Sequence, residues 1–483
     1  MAEELLSWVP RGCLIGGTSR DAGDGSVIKV LDPATEEVIA TVADGTVGDA
    51  GAAVDAAADA LGPWAATSPR KRAEILRSAF ALMEERAEVL AQLITLENGK
   101  ALADARGEVA YAAEFFRWYA EEAVRTQGEI VTAPSGSNRI VVTSRPIGVS
   151  LLITPWNFPA AMLTRKIGPA LAAGCTVVCK PASETPLSAL AIGEILSLAG
   201  VPDGVVNILP STRSSAVGKA ILADDRVRKL SFTGSTEVGR SLLSVAADQV
   251  ISCSMELGGN APFVVFEDSD LDAAIDGAMV AKMRNGGEAC TAANRFYVQA
   301  RVAERFSDML CARMGALRMG RGLDEGVDLG PLVNRSSRDK VDELVHQALD
   351  QGAKPRLGAE RPEGKGYFYP ATVLDGVPPD AEVLATEIFG PVAPIVSFAT
   401  EAEALALAND SAYGLAAYVY TGDLARGLRV AEALETGMVG LNRGLVSDPA
   451  APFGGVKQSG LGREGGHEGM LEYLEPKYIA CSW

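Results

Sequence analysis

Histidine is almost missing from this sequence: only His346 and His467 occur in 483 residues, and neither has a second histidine or a cysteine at metal-ligand spacing. A histidine-based nucleophilic triad and a Cys/His zinc site are therefore not expected, and no metal is assigned. No apolar run approaches the roughly 18 residues that a membrane-spanning helix needs. Seven cysteines are present (Cys13, Cys175, Cys179, Cys253, Cys290, Cys311, Cys481), odd in number, widely spaced and without a C-x-x-C pair. They read as reduced thiols of a cytoplasmic protein. The opening stretch MAEELLSWVPRGCL has no basic segment ahead of an apolar one and does not read as a signal peptide. Positive charge is also in short supply, with 44 Lys and Arg against 62 Asp and Glu, a net charge of −18. Such an excess repels phosphate backbones and anionic lipid surfaces, so neither nucleic acid nor a membrane is an expected partner.

What is present is the balance of a globular protein. Hydrophobic residues at 48% and charged residues at 22% leave little scope for extended disorder. At about 150 residues per domain the chain has room for about three. Between residues 73 and 94 the apolar positions Leu76, Phe80, Met83, Ala87 and Leu90 recur at helical spacing, which predicts one long amphipathic helix. A second helix is expected from 101 to 124. EIVTAP, a Ser-Gly-Ser-Asn turn and RIVVTSRP then predict a hairpin, which is marginal alone in water and is expected to pack on another subunit. From 149 to 266 short apolar strands (SLLIT, CTVVCK, VVNILP, KLSFTG) alternate with Ala- and Leu-rich stretches, the pattern of parallel βαβ units. PFVVF opens a second, less regular α/β lobe that runs to about 439.

Several segments carry chemistry-bearing residues, and each has a purely structural alternative. KLSFTGSTEVGRSLL sets a strand, a glycine turn and a helix in succession, with Gly234 and Gly239 spaced G-x-x-x-x-G, an arrangement that can face backbone N–H groups toward a phosphate. The G-x-G-x-x-G at Gly460, Gly462 and Gly465 is rejected as a dinucleotide fingerprint because PFGGVKQS before it is not a strand. In TPWNFPAAML, aromatics and prolines stiffen a loop in which Asn157 either presents an N–H donor or merely caps backbone. Cys290 follows a glycine pair and lies between Arg284 and Arg295, surroundings that favour a thiolate nucleophile; the alternative is a small core residue. Glu256, in an apolar stretch before two glycines, reads as a general base of raised pKa or as a paired structural carboxylate.

PWNFP, KPASETP, FTGS, MELGG, GEAC, EIFGPV and PFGGVKQSGLGREG stand in the order and spacing of the NAD(P)-dependent aldehyde dehydrogenase superfamily, which the chain resembles over nearly its whole length. MLTRKIGPALAAGCTVVCKPA, SMELGGNAPFVVF and the ending EYLEPKY are similar to the succinate-semialdehyde dehydrogenases within it. The resemblance implies an α/β fold with a Rossmann-type cofactor domain (1–124 and 145–255), an α/β catalytic domain (256–445), a small β oligomerisation element (125–144 and 467–483) and a segment, 446–466, returning to the active site. It implies a homodimer or homotetramer that oxidises succinate semialdehyde to succinate. Glutarate semialdehyde, and a structural relative holding cofactor without turnover, are the alternatives.

By the same resemblance Cys290 is the nucleophile, Asn157 an oxyanion donor and Glu256 the activator of the hydrolytic water. Trp156, Lys180, Ser183, Gly234, Ser235 and Glu387 belong to the cofactor site, and Arg165, Arg284 and Ser447 to the site for the substrate's carboxylate. Ser183 occupies the position where an acidic residue would repel a 2′-phosphate, so NADP is expected to be accepted and preferred, with NAD also used; Glu184 is the competing feature. Three departures bear on this reading: Arg443 and Asp448 add charges beside Ser447, Ala292 replaces a second cysteine found in some relatives, and Glu288 is a second carboxylate near the thiol.

Overall fold

The computed structural model describes residues 5–482. Two open sheets form its frame. In the first, the strands Val206–Ile208, Thr176–Lys180, Val149–Ile153, Val227–Thr233 and Ser252–Glu256 lie side by side and parallel. Cys13–Ile15 and Thr18–Arg20 extend one edge and Gly460–Leu461 the other, all antiparallel. The strands SLLIT and TVVCK are apolar on both faces because helices cover both sides, as a parallel sheet requires. The chain winds outward from Val149–Ile153 to Val206–Ile208, then returns to Val227–Thr233 on the other side of its starting strand. This reversal opens a crevice at the carboxyl ends of two adjacent strands, where the TPWNFP loop and the Gly234–Ser235 turn emerge.

The second sheet sets six parallel strands in the order Thr372–Asp375, Val392–Phe398, Ala293–Gln299, Ala261–Val265, Ala416–Tyr420 and Met438–Leu441, with Lys354–Leu357 antiparallel at the edge. A third, three-stranded antiparallel sheet joins the expected hairpin, Glu129–Thr132 and Arg139–Pro146, to Leu474–Cys481. No helix among the described residues is long and apolar enough to cross a membrane.

One expected element divides. The helix foreseen over 73 to 94 is two, Pro69–Glu85 and Ala87–Asn98, broken at Arg86 (φ −105°, ψ 16°). Arg86 lies over the Trp8 ring at 5.3 Å. The apolar spacing runs through the break, since Met83 and Leu90 join the same core, so periodicity cannot reveal it. The helix Leu102–Glu122 follows as expected. The helix Pro159–Ala173, which begins on a proline and ends at Gly174 in the left-handed region (φ 98°), is buried along its entire length. That burial decides how its two cations, Arg165 and Lys166, are held.

Candidate functional site

A cavity of about 240 Å³ opens where the crevice of the first sheet meets the second. Nine of the residues singled out in the sequence line it: Trp156, Asn157, Arg165, Gly234, Ser235, Arg284, Cys290, Glu387 and Ser447. They arrive from separate elements, and close backbone approaches hold them together. A Cβ on Gly259 would sit 2.1 Å from the Cys290 carbonyl oxygen, so the glycine pair after Glu256 lets the two loops touch. Gly259 N–H donates to Glu387 Oε1 at 3.1 Å, tying the EIFGPV segment to the same point. Trp156 meets Phe389 edge-on at 5.4 Å, and its carbonyl accepts from Asn98 Nδ2 at 3.1 Å.

Around the thiol the structure corrects several expectations. Burial pushes the Cys290 thiol up to about 12, against the lowering fields of Arg165 and Arg284, so the resting group is a neutral thiol rather than a thiolate. Arg295 contributes nothing there: it is buried and donates to the carbonyls of Asn260, Leu407 and Ala408. Glu288 is turned away, its Oε1 accepting from Val333 N–H at 3.2 Å, and burial raises its carboxyl to about 8. Its backbone carbonyl accepts from Asn157 Nδ2 at 3.0 Å, which fixes the amide and uses one of its two hydrogens. The other hydrogen remains for a ligand. The Asn157 carbonyl in turn accepts from Lys100 at 2.6 Å and Asn285 at 2.9 Å, so the loop is anchored from below.

Glu256 ends its strand just behind the cavity wall. Its Oε2 is buried without a hydrogen-bond partner, and a Cβ on Gly454 would lie 2.9 Å from its Oε1. Burial and then the charge of Glu464 hold its carboxyl well above the ordinary range, against Arg165, Lys166 and Arg463. Glu464 is the organising residue that sequence reasoning missed, although it lies within the quoted GLGREG segment. It pairs with Arg165 Nε at 2.5 Å and with Lys166 Nζ, and Ser231 Oγ donates to it at 3.3 Å. Although burial opposes its ionisation, Lys166 and Arg165 keep its carboxyl below the ordinary range. The guanidinium of Arg165 also lies 4.2 Å over the Phe453 ring.

The other cation of the cavity is held differently. Arg284 sits 5.2 Å over the Phe158 ring and has no hydrogen-bond or ion-pair partner among the described residues. The two charges suspected of disturbing this region are outside it: Arg443 is exposed and donates to the Leu445 carbonyl, and Asp448 is exposed and accepts from Ala450 N–H. Tyr111, Met162 and Phe453 also line the wall; Met162 and Phe453 stand in the quoted MLTRK and PFGGVKQ segments, whereas Tyr111 lies in no motif that could have revealed it.

Toward the first sheet the residues present fit a dinucleotide. Thr233 Oγ1 is buried without a partner at the mouth of the crevice, and the helix Thr236–Ala246 starts there, capped by Ser235. Lys180 and Ser183 lie beyond the cavity, off the end of the neighbouring strand. Lys180 is buried with only the Pro181 carbonyl as acceptor, at 3.1 Å, and burial lowers it to about 8 against Glu184 and Asp44. Ser183 Oγ donates to Glu184 Oε2 at 3.1 Å. Glu387 is raised by burial to about 7, against the Gly259 N–H and Lys340. The rejected Gly460 segment is a two-residue strand laid antiparallel on Met255 and Glu256, with no helix opening from it.

Residues 20–479 match the aldehyde dehydrogenase family. The chain is 57% identical over 445 residues to the succinate-semialdehyde dehydrogenase of Paenarthrobacter nicotinovorans, covering 92% of this chain and 99% of that one. It is 49% identical over 466 residues to the enzyme of the same name from Escherichia coli strain K12, whose name specifies NADP(+), with 96% of each covered. Identity to the glutarate-semialdehyde dehydrogenase of Pseudomonas putida is also 49%, over 468 residues and 97% of each chain. The solved succinate-semialdehyde dehydrogenase of Burkholderia pseudomallei superposes with a TM-score of 0.97 at 48% identity, over 99% of both chains.

Proposed function

The chain belongs to the aldehyde dehydrogenase family, and on that premise we propose that it oxidises succinate semialdehyde to succinate, preferring NADP(+) and also accepting NAD(+). The observation that carries the reading is the pairing, in one small cavity, of the Cys290 thiol with the unpartnered guanidinium of Arg284. A short aldehyde with a carboxylate at its far end suits both groups at once. Glutarate semialdehyde is the second reading, favoured by the equal identity to the Pseudomonas putida relative.

In this reading the Cys290 thiol gives up its proton to water and its sulfur attacks the aldehyde carbon, forming a C–S bond as the C=O π bond breaks and its oxygen takes the negative charge. The Cys290 N–H and the free hydrogen of Asn157 Nδ2 donate to that oxygen as its charge develops. Lys180, Ser183, Gly234, Ser235, Trp156 and Glu387 would hold a nicotinamide dinucleotide, which when bound would supply the acceptor for the hydride that leaves the same carbon and so leave a thioester. Glu256, ionised, takes a proton from water; the water oxygen adds to the thioester carbon, the C–S bond breaks, and the departing sulfur takes that proton back, releasing the acid and restoring the thiol and the ionised carboxylate. Because burial raises both the Cys290 thiol and the Glu256 carboxyl, and each acts in its deprotonated form, turnover is expected to rise toward alkaline pH. The three-stranded sheet exposes Ile130 at 69% and Tyr478 at 57%, which supports an assembly of identical subunits through this element. All seven cysteines are free, which supports a cytoplasmic enzyme.

Initial rates of reduced-nicotinamide formation with succinate semialdehyde, glutarate semialdehyde and butanal, each with both cofactors, test the reading. The highest kcat/KM is expected for succinate semialdehyde with NADP(+). A rate for butanal equal to that for either semialdehyde would overturn it.

A further inference from the structure

Tyr111 stands on the helix Leu102–Glu122 and reaches the cavity that holds Cys290, Arg284 and Ser447. Its ring is fixed edge-on against Phe115, with 4.9 Å between centroids. Its hydroxyl is shut off from solvent, and its hydrogen finds no acceptor among the described residues, while the Arg165 guanidinium is placed to donate to its oxygen. The charged groups whose fields reach it are Arg165 and Arg284 and, more weakly, Glu464. Guanidinium groups only donate, so neither arginine can accept the phenolic hydrogen. Glu464 is occupied by Arg165, Lys166 and Ser231. The cavity thus offers one O–H donor within the fields of two cations, its hydrogen without an acceptor. Buried donors left unpaired are costly, and where they persist a ligand commonly supplies the partner.

We propose that Tyr111 is a specificity-determining residue whose hydroxyl donates to the distal carboxylate of the aldehyde, next to Arg284 and Ser447. The inference rests on the carboxylate-tailed substrate proposed above and adds a neutral donor to its recognition. Arg284 contributes charge from a loop, whereas Tyr111 contributes a directed hydrogen bond from a rigid helix, which fixes where the carboxylate lies and hence how far the aldehyde carbon reaches toward Cys290.

Tyr111→Phe removes the oxygen and leaves the ring. Three quantities are compared with the wild type: the ratio of kcat/KM for succinate semialdehyde to that for butanal, the competitive inhibition constant of succinate, and Tm. The ratio is expected to fall about tenfold or more, the loss typical of a hydrogen bond to a charged group, and the inhibition constant to rise by a similar factor. Tm should change little, because the hydroxyl hydrogen has no acceptor among the described residues of the free protein. An unchanged ratio overturns the proposal and leaves the substrate reading intact. Equal losses on both aldehydes, a lowered Tm or failure of the variant to fold would make the hydroxyl structural and also overturn it. A wild-type enzyme without preference for succinate semialdehyde over butanal removes the substrate reading first and this inference with it.

Discussion

Two walls of the same cavity carry an arginine each, and the two are held in opposite ways. Arg165 lies on a helix buried along its whole length, and Glu464 neutralises it together with Lys166. Arg284 lies at the end of a helix where the chain turns into the Cys290 loop, and no carboxylate of the described residues contacts it. The difference follows from burial. A charge inside a packed helix layer must be paired as the protein folds, because an uncompensated buried ion costs several kcal/mol. A charge on a cavity-lining loop keeps enough contact with solvent to wait for a ligand. Arg165 therefore supplies a fixed field and Arg284 an open contact.

The largest expected effect separates chemistry from stability on the loop wall. Cys290→Ala should abolish aldehyde oxidation while leaving Tm and cofactor binding intact, since the thiol makes no structural hydrogen bond and its loss strands no charge. Residual turnover near the wild-type rate would remove Cys290 from the mechanism and leave the loop wall without a nucleophile.

A smaller effect bears directly on the two arginines. Arg165→Ala should lower stability by about 3–5 kcal/mol, because Glu464 loses one of the two cations that neutralise it. Arg284→Ala should leave Tm nearly unchanged and raise KM for succinate semialdehyde about tenfold to a hundredfold more than for butanal, the loss of one charge-assisted contact. Thermal denaturation and substrate-pair kinetics on both variants check this. Equal Tm values for the two would break the distinction between the walls.

The cofactor side offers a third instance of the contrast. Lys166 and Lys180 are both buried, but Lys166 meets a carboxylate whereas Lys180 meets only the Pro181 carbonyl. By the same logic Lys180 is left for an anion. Ser183→Glu should then reduce kcat/KM for NADP(+) relative to NAD(+) by about tenfold or more, since a second carboxylate would face a 2′-phosphate. A native preference for NAD(+) would mean that Glu184, which already accepts from Ser183, governs the ribose.

The sequence made much of this frame legible. Alternating apolar strands and Ala-rich stretches announced the first sheet, whereas the backbone contact made by the glycine pair after Glu256 shows only in the fold. What stayed hidden depends on distant pairing. Glu464 is separated by 298 residues from Lys166, and nothing local in GREGG distinguishes a buried partner from a surface charge. Arg295 sits even nearer to Cys290 in sequence than Arg284 does, yet its side chain is spent on the backbone carbonyls of Asn260 and Ala408. The break at Arg86 is silent for the same reason, because packing bends a segment whose periodicity is continuous.

The smallest effect on turnover is expected at Glu288, the second carboxylate beside the thiol in sequence. Its carboxyl points to Val333 N–H and not into the cavity, so Glu288→Gln should change kcat less than about twofold, whereas Glu256→Gln should slow thioester hydrolysis about a hundredfold or more. Stability is where Glu288 acts. Its ordinary value of 4.5 rises to about 8 in the fold, with burial the leading cause. Below 4.5 the group is protonated in both folded and unfolded chains, and its contribution is fully present. As pH rises from there toward 8 only the unfolded chain releases the proton, which favours unfolding by up to about 1.4 kcal/mol per pH unit; above 8 both forms are ionised and the loss is complete. Glu288→Gln should therefore flatten part of the decline in Tm between these pH values while leaving the pH–rate profile in place. A profile that moved with Glu288→Gln and not with Glu256→Gln would reverse the two assignments.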